Sequence, residues 1–95
     1  MPDEQMIEER EERADVVMVK IYPQGRMGGQ VSVFKDWKGL GGGFVWHSAA
    51  VSWSSLGGVD AGTAEAWASA IQRAVAVAHE LDEAYPPGSP IPVPS

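Results

Sequence analysis

The chain contains no cysteine. That excludes a disulfide staple and any thiolate-ligated metal site. Histidine is nearly as scarce: His47 and His79 are the only two. They form no His-x-x-x-His and no His–Glu pair at ligand spacing, so no metal site is expected. Long apolar runs are missing too, for nothing approaches the roughly 20 residues of a membrane span. The opening Met1-Pro-Asp-Glu is acidic where a signal peptide would be basic. The expectation is a cytoplasmic protein with no membrane partner. Cations are few, 7 Lys and Arg against 13 Asp and Glu, for a net charge of −6. Such a balance argues against holding nucleic acid by bulk charge.

The charge is unevenly spread. Residues 1–15 carry seven acids against Arg10 and Arg13, and residues 60–95 carry five acids against Arg73. Between them, Lys20, Arg26, Lys35 and Lys38 face only Asp36, so the middle of the chain is locally basic.

What the sequence does have is a long helix signal. From Thr63 to Ala84, the residues Ala64, Trp67, Ala68, Ile71, Ala74, Val75, Ala78 and Leu81 recur at three-and-four spacing. They occupy an arc of about 140°, wide enough to lie across a sheet. Thr63 is the expected N-cap, Glu65 sits in the first turn, and Pro86-Pro87 stops the helix. Ala66, Ala70, Val77 and Ala84 form a second, small-residue facet interrupted by Arg73. If the main stripe covers a sheet, this facet is left for contact across a dimer axis.

Ahead of the helix the period changes to two. Val17, Val19 and Ile21 alternate with Met18, Lys20 and Tyr22, and Val31 and Val33 alternate with Ser32 and Phe34. Glycine-rich reversals separate these runs. The expected fold is α+β. An antiparallel four-stranded meander over about 16–23, 30–37, 44–47 and 50–56 packs on one long C-terminal helix over 63–84. Residues 1–14 are expected as a solvated acidic tail, 15–85 as one domain, and 86–95 as an extended proline-rich tail.

Catalytic motifs are wanting. Lys38-Gly-Leu-Gly-Gly-Gly lacks the lysine placement and following helix of a phosphate loop, and reads as a hairpin turn. The serines at 48, 52, 54 and 55 have no Gly-x-Ser-x-Gly elbow and match the wet face of a strand. No nucleophile, base and orienting group can be put together, so neither an enzyme nor a cofactor is expected.

Four Trp, two Tyr and two Phe are many for so small a core. Trp53 and Trp67 are the best core candidates. Phe34, with either Phe44 and Trp46 or Val45, falls on the sheet face away from Val31 and Val33. The expected interaction surface is therefore Phe34, Lys35, Trp37, Phe44 and Trp46 on the sheet, with Ala66, Ala70, Arg73 and Val77 on the helix. A competing use of the same region, stacking bases and holding phosphates, would draw on Lys20, Tyr22, Arg26, Lys35 and Lys38.

Val51-Ser-Trp-Ser-Ser-Leu-Gly followed by Thr63-Ala-Glu-Ala-Trp-Ala-Ser-Ala-Ile resembles small proteins of actinobacteria and their bacteriophages, over roughly residues 50–82. The likeness implies a fold and a source, and no activity. The order of four strands then one helix also resembles the positive-cofactor-four-like single-stranded-DNA-binding fold, a dimer whose curved sheets grip nucleic acid. The lysines expected at the strand ends of that fold are thin here. The leading expectation is a non-enzymatic interaction module, homodimeric and phage-encoded, that binds a host or phage protein. Single-stranded nucleic-acid binding is the second reading. An acidic inhibitor that mimics DNA with its N-terminal carboxylates is the third.

Overall fold

The computed structural model describes residues 6–25, 28–40, 43–54 and 57–91. Its main sheet is antiparallel and four-stranded, with β1 (Ile7–Glu12), β2 (Val17–Tyr22), β3 (Val31–Lys35) and β6 (Ala50–Trp53) in the spatial order β1-β2-β3-β6. One C-terminal helix, α1 (Ala61–Ala84), packs on it. The alternation of β-branched residues decides the buried face: Val17, Val19, Ile21, Val31 and Val33 are all fully buried under the helix. Cross-strand registers such as Val19↔Val33 and Val33↔Val51 keep them on one side.

Two expected elements change place. Residues 7–12, anticipated as part of a solvated tail, form β1 and pair along their whole length with β2. Met6, just before them, packs against the core. One face of a strand needs only intermittent apolar residues when it lies beyond the helix, and β1 fills its helix side with Glu8, Arg10 and Glu12. The segment at 44–47, anticipated as the third strand of the meander, instead leaves the sheet. It becomes β5 (Gly43–Trp46), paired with β4 (Trp37–Leu40) in a separate two-stranded arm. The anticipated strand 30–37 is thus divided between β3 and β4. Between the pairs Phe34↔Ala50 and Trp37↔Trp46, one side of the hairpin has residues 35–36 and the other has 47–49. That one-residue excess is a bulge, and bulges bend strands and end ladders. The amide of His47 closes it by donating to the Asp36 carbonyl at 2.8 Å.

The proline-rich segment extends the arm. Ser89 and Phe44 carbonyls accept from Trp46 and Ile91 amides at 2.9 and 3.0 Å, and the Gly88 amide donates to the Trp46 carbonyl at 2.8 Å. Residues 86–91 are therefore docked beside β5, where a bridge joins Val45 and Pro90.

The helix begins two residues before its expected start. Asp60, not Thr63, is the N-cap, its carboxylate accepting from the Thr63 amide at 2.7 Å; that bond lowers the Asp60 pKa. The amide of Tyr85 donates to the Leu81 carbonyl at the other end. The buried stripe is Trp67, Ala70, Ala74, Val77, Ala78 and Leu81. It is turned by about 60° from the stripe expected from spacing. Ala70 and Val77, assigned to a contact facet, are core; Ala64, Ala68 and Val75, assigned to the core, are exposed. Apolar residues cover about 180° of the helix circumference, more than one sheet face can bury, and spacing alone cannot choose which part goes inside. Gly29 shows how close the fit is on the buried side. It has φ +93°, and a Cβ there would lie 3.3 Å from the Trp67 ring.

Candidate interaction surface

Lys35 was an expected contact on the surface, yet its side chain is fully buried. Position 35 continues the inward series Val31, Val33, and the aliphatic stem of a lysine can complete an apolar stripe if its ammonium finds an acid. Asp82, in the last turns of α1, supplies it: Nζ lies 2.6 Å from Oδ1. The same oxygen accepts from the Ala49 amide at 2.9 Å, so one carboxylate ties β3, the residue before β6 and the helix together. Burial pushes the Asp82 pKa up, but the Lys35 hydrogen bond and the Ala49 amide outweigh it and leave it lowered.

Arg73, a second expected contact, is also committed. Its Nε donates to Glu8 Oε1 at 2.8 Å and its Nη2 to Oε2 at 3.3 Å, a two-pronged bond from α1 to β1. This bond, more than any other influence, lowers the Glu8 pKa and raises that of Arg73. Trp46, expected at the surface, is buried, its ring 4.7 Å from Tyr85 beneath the docked tail. Trp53 is an expected core residue that the structure leaves half exposed. It does lie on the helix side, opposite Val31, but stays 51% exposed because β6 is the outermost strand. Ala66 is half-buried at the margin of the helix stripe.

Besides Arg73, which is exposed but paired with Glu8, three expected contacts remain at the surface. Trp37 and Phe44 project from neighbouring strands of the arm, 41% and 48% exposed, with ring centroids 4.6 Å apart and planes at 74°. An edge-to-face pair of this kind holds both rings in place before anything binds. Phe34 lies on the face of the main sheet away from the helix, as its alternation implies. Ile7, Met18, Lys20, Tyr22, Ser32, Ala50 and Ser52 share that face, with Glu9 and Glu11 from β1. A concavity of about 350 Å³ lies there, lined by Glu11, Arg13, Asp15, Val16, Met18 and Phe34. The residues assigned to nucleic acid do not converge: Lys20 and Tyr22 are on this open face, Lys35 is inside, Lys38 is on the arm, and Arg26 lies outside the described residues.

Asp82, Glu8, Tyr85 and Ile91 went unrecognised in the sequence. Asp82 alone left a signal, an acid inside the arc of the expected apolar stripe. Among the described residues, no group of three or more His, Asp or Glu could hold a metal ion, and no helix is long and apolar enough to cross a membrane. Comparison with protein-family models, curated proteins and solved structures finds no match for the chain.

Proposed function

We propose that the chain is a small non-enzymatic protein-interaction module, acting in the cytoplasm as a homodimer and binding a second protein through its aromatic arm. The observation that carries this reading is the Trp37–Phe44 pair, two half-exposed rings pre-set on a narrow hairpin outside the main core. Tryptophan and other aromatics anchor protein interfaces because they bury large areas with few rotatable bonds. The resemblance of residues 50–82 to actinobacterial and phage proteins favours a partner among host or phage proteins. The test compares proteins retained from host extract by the wild type and by a Trp37→Ala/Phe44→Ala double variant. A protein held by the first and lost by the second, with unchanged circular dichroism, is the expected result. Identical retention by both would count against the reading.

Single-stranded nucleic acid is the weaker alternative. Lys20, Tyr22 and Phe34 share the open face, which favours stacking, but Glu9 and Glu11 share it too, and Lys35 is engaged by Asp82. Oligonucleotide affinity that falls steeply with salt and is weakened by Phe34→Ala would favour it. The DNA-mimic reading is weaker still, because Glu8, Glu11 and Glu12 are tied to Arg73, Arg13 and Arg10.

A further inference from the structure

Three features converge on the β6 side of the molecule. The first is the strand itself. Among the described residues nothing pairs with the outer edge of β6, so main-chain donors and acceptors point outward there. Edge strands are ordinarily defended by charge, and β1 at the opposite edge carries Glu8, Glu9, Arg10, Glu11 and Glu12. The sequence from Gly39 to Val59 holds no Asp, Glu, Lys or Arg at all. The second is Trp53, on the core side of β6 yet half exposed. The third is the helix flank. Arg73 bonds to β1 and Asp82 bonds to Ala49 beside β6, which fixes the rotation of α1. By helical geometry the flank above β6 then bears Ala64, Ala68, Ile71 and Val75, together with Asp82, which is bonded to Lys35 and Ala49; Val75 is 43% exposed.

We propose that a second copy of this chain covers that side. The two β6 strands pair antiparallel about a two-fold axis perpendicular to the sheet, giving one continuous eight-stranded sheet with both helices on the same face. The inference rests on the homodimer proposed above and assigns its interface.

Charge selects the occupant. Each copy carries −6, so copies repel except where charge is missing, and β6 with its flanking segment from Gly39 to Val59 is such a place. Pairing through β1 would instead bring four glutamates of each strand beside those of the other. Symmetry agrees, since a perpendicular two-fold pairs residues of equal parity and keeps Val51 and Trp53 of both copies on the helix side. The spacing agrees as well. Each helix lies chiefly over β3, and three strand spacings separate β3 from its copy, about 14 Å. Packed helices sit about 8–10 Å apart. The remainder, about 5 Å, suits a layer of side chains. Trp53 and Val75 stand where that layer must be.

The test begins with sedimentation of the 10.2 kDa chain, which should give twice that mass at micromolar concentration. Ser52→Lys, near the axis on the open face, and Val75→Glu, on the helix flank, should each weaken the dimer at least about tenfold while circular dichroism is unchanged. Glu11→Lys at the other edge should not. The absence of native cysteine gives a second readout that needs no loss of stability. Oxidised Ser52→Cys should run as a covalent dimer on a non-reducing gel, and Glu11→Cys should remain a monomer. A dimeric wild type whose Ser52→Cys variant stays uncross-linked, or whose dimer is broken by Glu11→Lys, overturns the interface and leaves the homodimer standing. A monomeric wild type, including one that pairs only with a different protein's strand, overturns both.

Discussion

The two sides of this molecule each join helix to sheet by an ion pair, and the pairs differ in kind. On the β1 side, Arg73 and Glu8 meet in water, with 42% and 34% of their side chains exposed. On the β6 side, Lys35 is fully enclosed and Asp82 is about one-third exposed, 31%. An exposed pair is solvated before and after it forms, so it adds little; a buried ammonium depends on its one partner. Charge on the β1 side lies along an exposed strand edge, whereas on the β6 side the ammonium is enclosed and only its carboxylate partner reaches water.

The largest expected effect comes from removing the acid of the buried pair. Asp82→Ala strands the Lys35 ammonium and should cost about 3–5 kcal/mol in urea or thermal unfolding, enough to unfold a domain this small. Lys35→Met should cost less, about 2 kcal/mol or below, since the carboxylate left behind keeps the Ala49 amide and some water. If the two substitutions cost the same, the difference in burial is not what governs this side.

Acid should separate the sides next. Asp82 and Glu8 both have lowered pKa values in the folded chain. A depressed carboxylate contributes stability that is complete above its unfolded pKa, about 4, and is lost as pH falls through the folded value. Unfolding midpoints should therefore decline between about pH 5 and pH 2. Asp82→Asn should flatten that decline more than Glu8→Gln does, and the reverse order would undo the comparison.

Smaller effects belong to the surface. Glu8→Gln should lower stability by about 0.2–1 kcal/mol at low salt and by less at high salt. Val75→Glu should change unfolding by no more than about 0.5 kcal/mol, measured where the protein is monomeric. A much larger loss would mean that Val75 supports the core of its own chain.

Much of the fold could be read from residue patterns because those patterns are local. The inward valines of β2 and β3, the outward Phe34, the helix over 63–84 and its stop at the double proline all follow from period and from proline geometry. The candidate surface was harder to read. Lys35 looked like a surface cation because its partner is 47 residues away, and Trp46 looked exposed because Tyr85 and the docked tail cover it from a distance. The acidic run at 7–12 gave no sign of a strand, since its place as β1 comes from pairing with β2 and from the bond between Glu8 and the distant Arg73, and not from an apolar alternation of its own.

Periodicity along the chain was enough to specify one amphipathic helix and a sheet with one dry face. Spatial packing alone chose which third of a broadly apolar helix faces inward, which strand closes each edge, and which rings stay in water. Those choices depend on contacts between residues far apart in sequence: a one-residue bulge at 47–49 ends one ladder before the next begins, and a single carboxylate at 82 joins the helix to β3 and to Ala49.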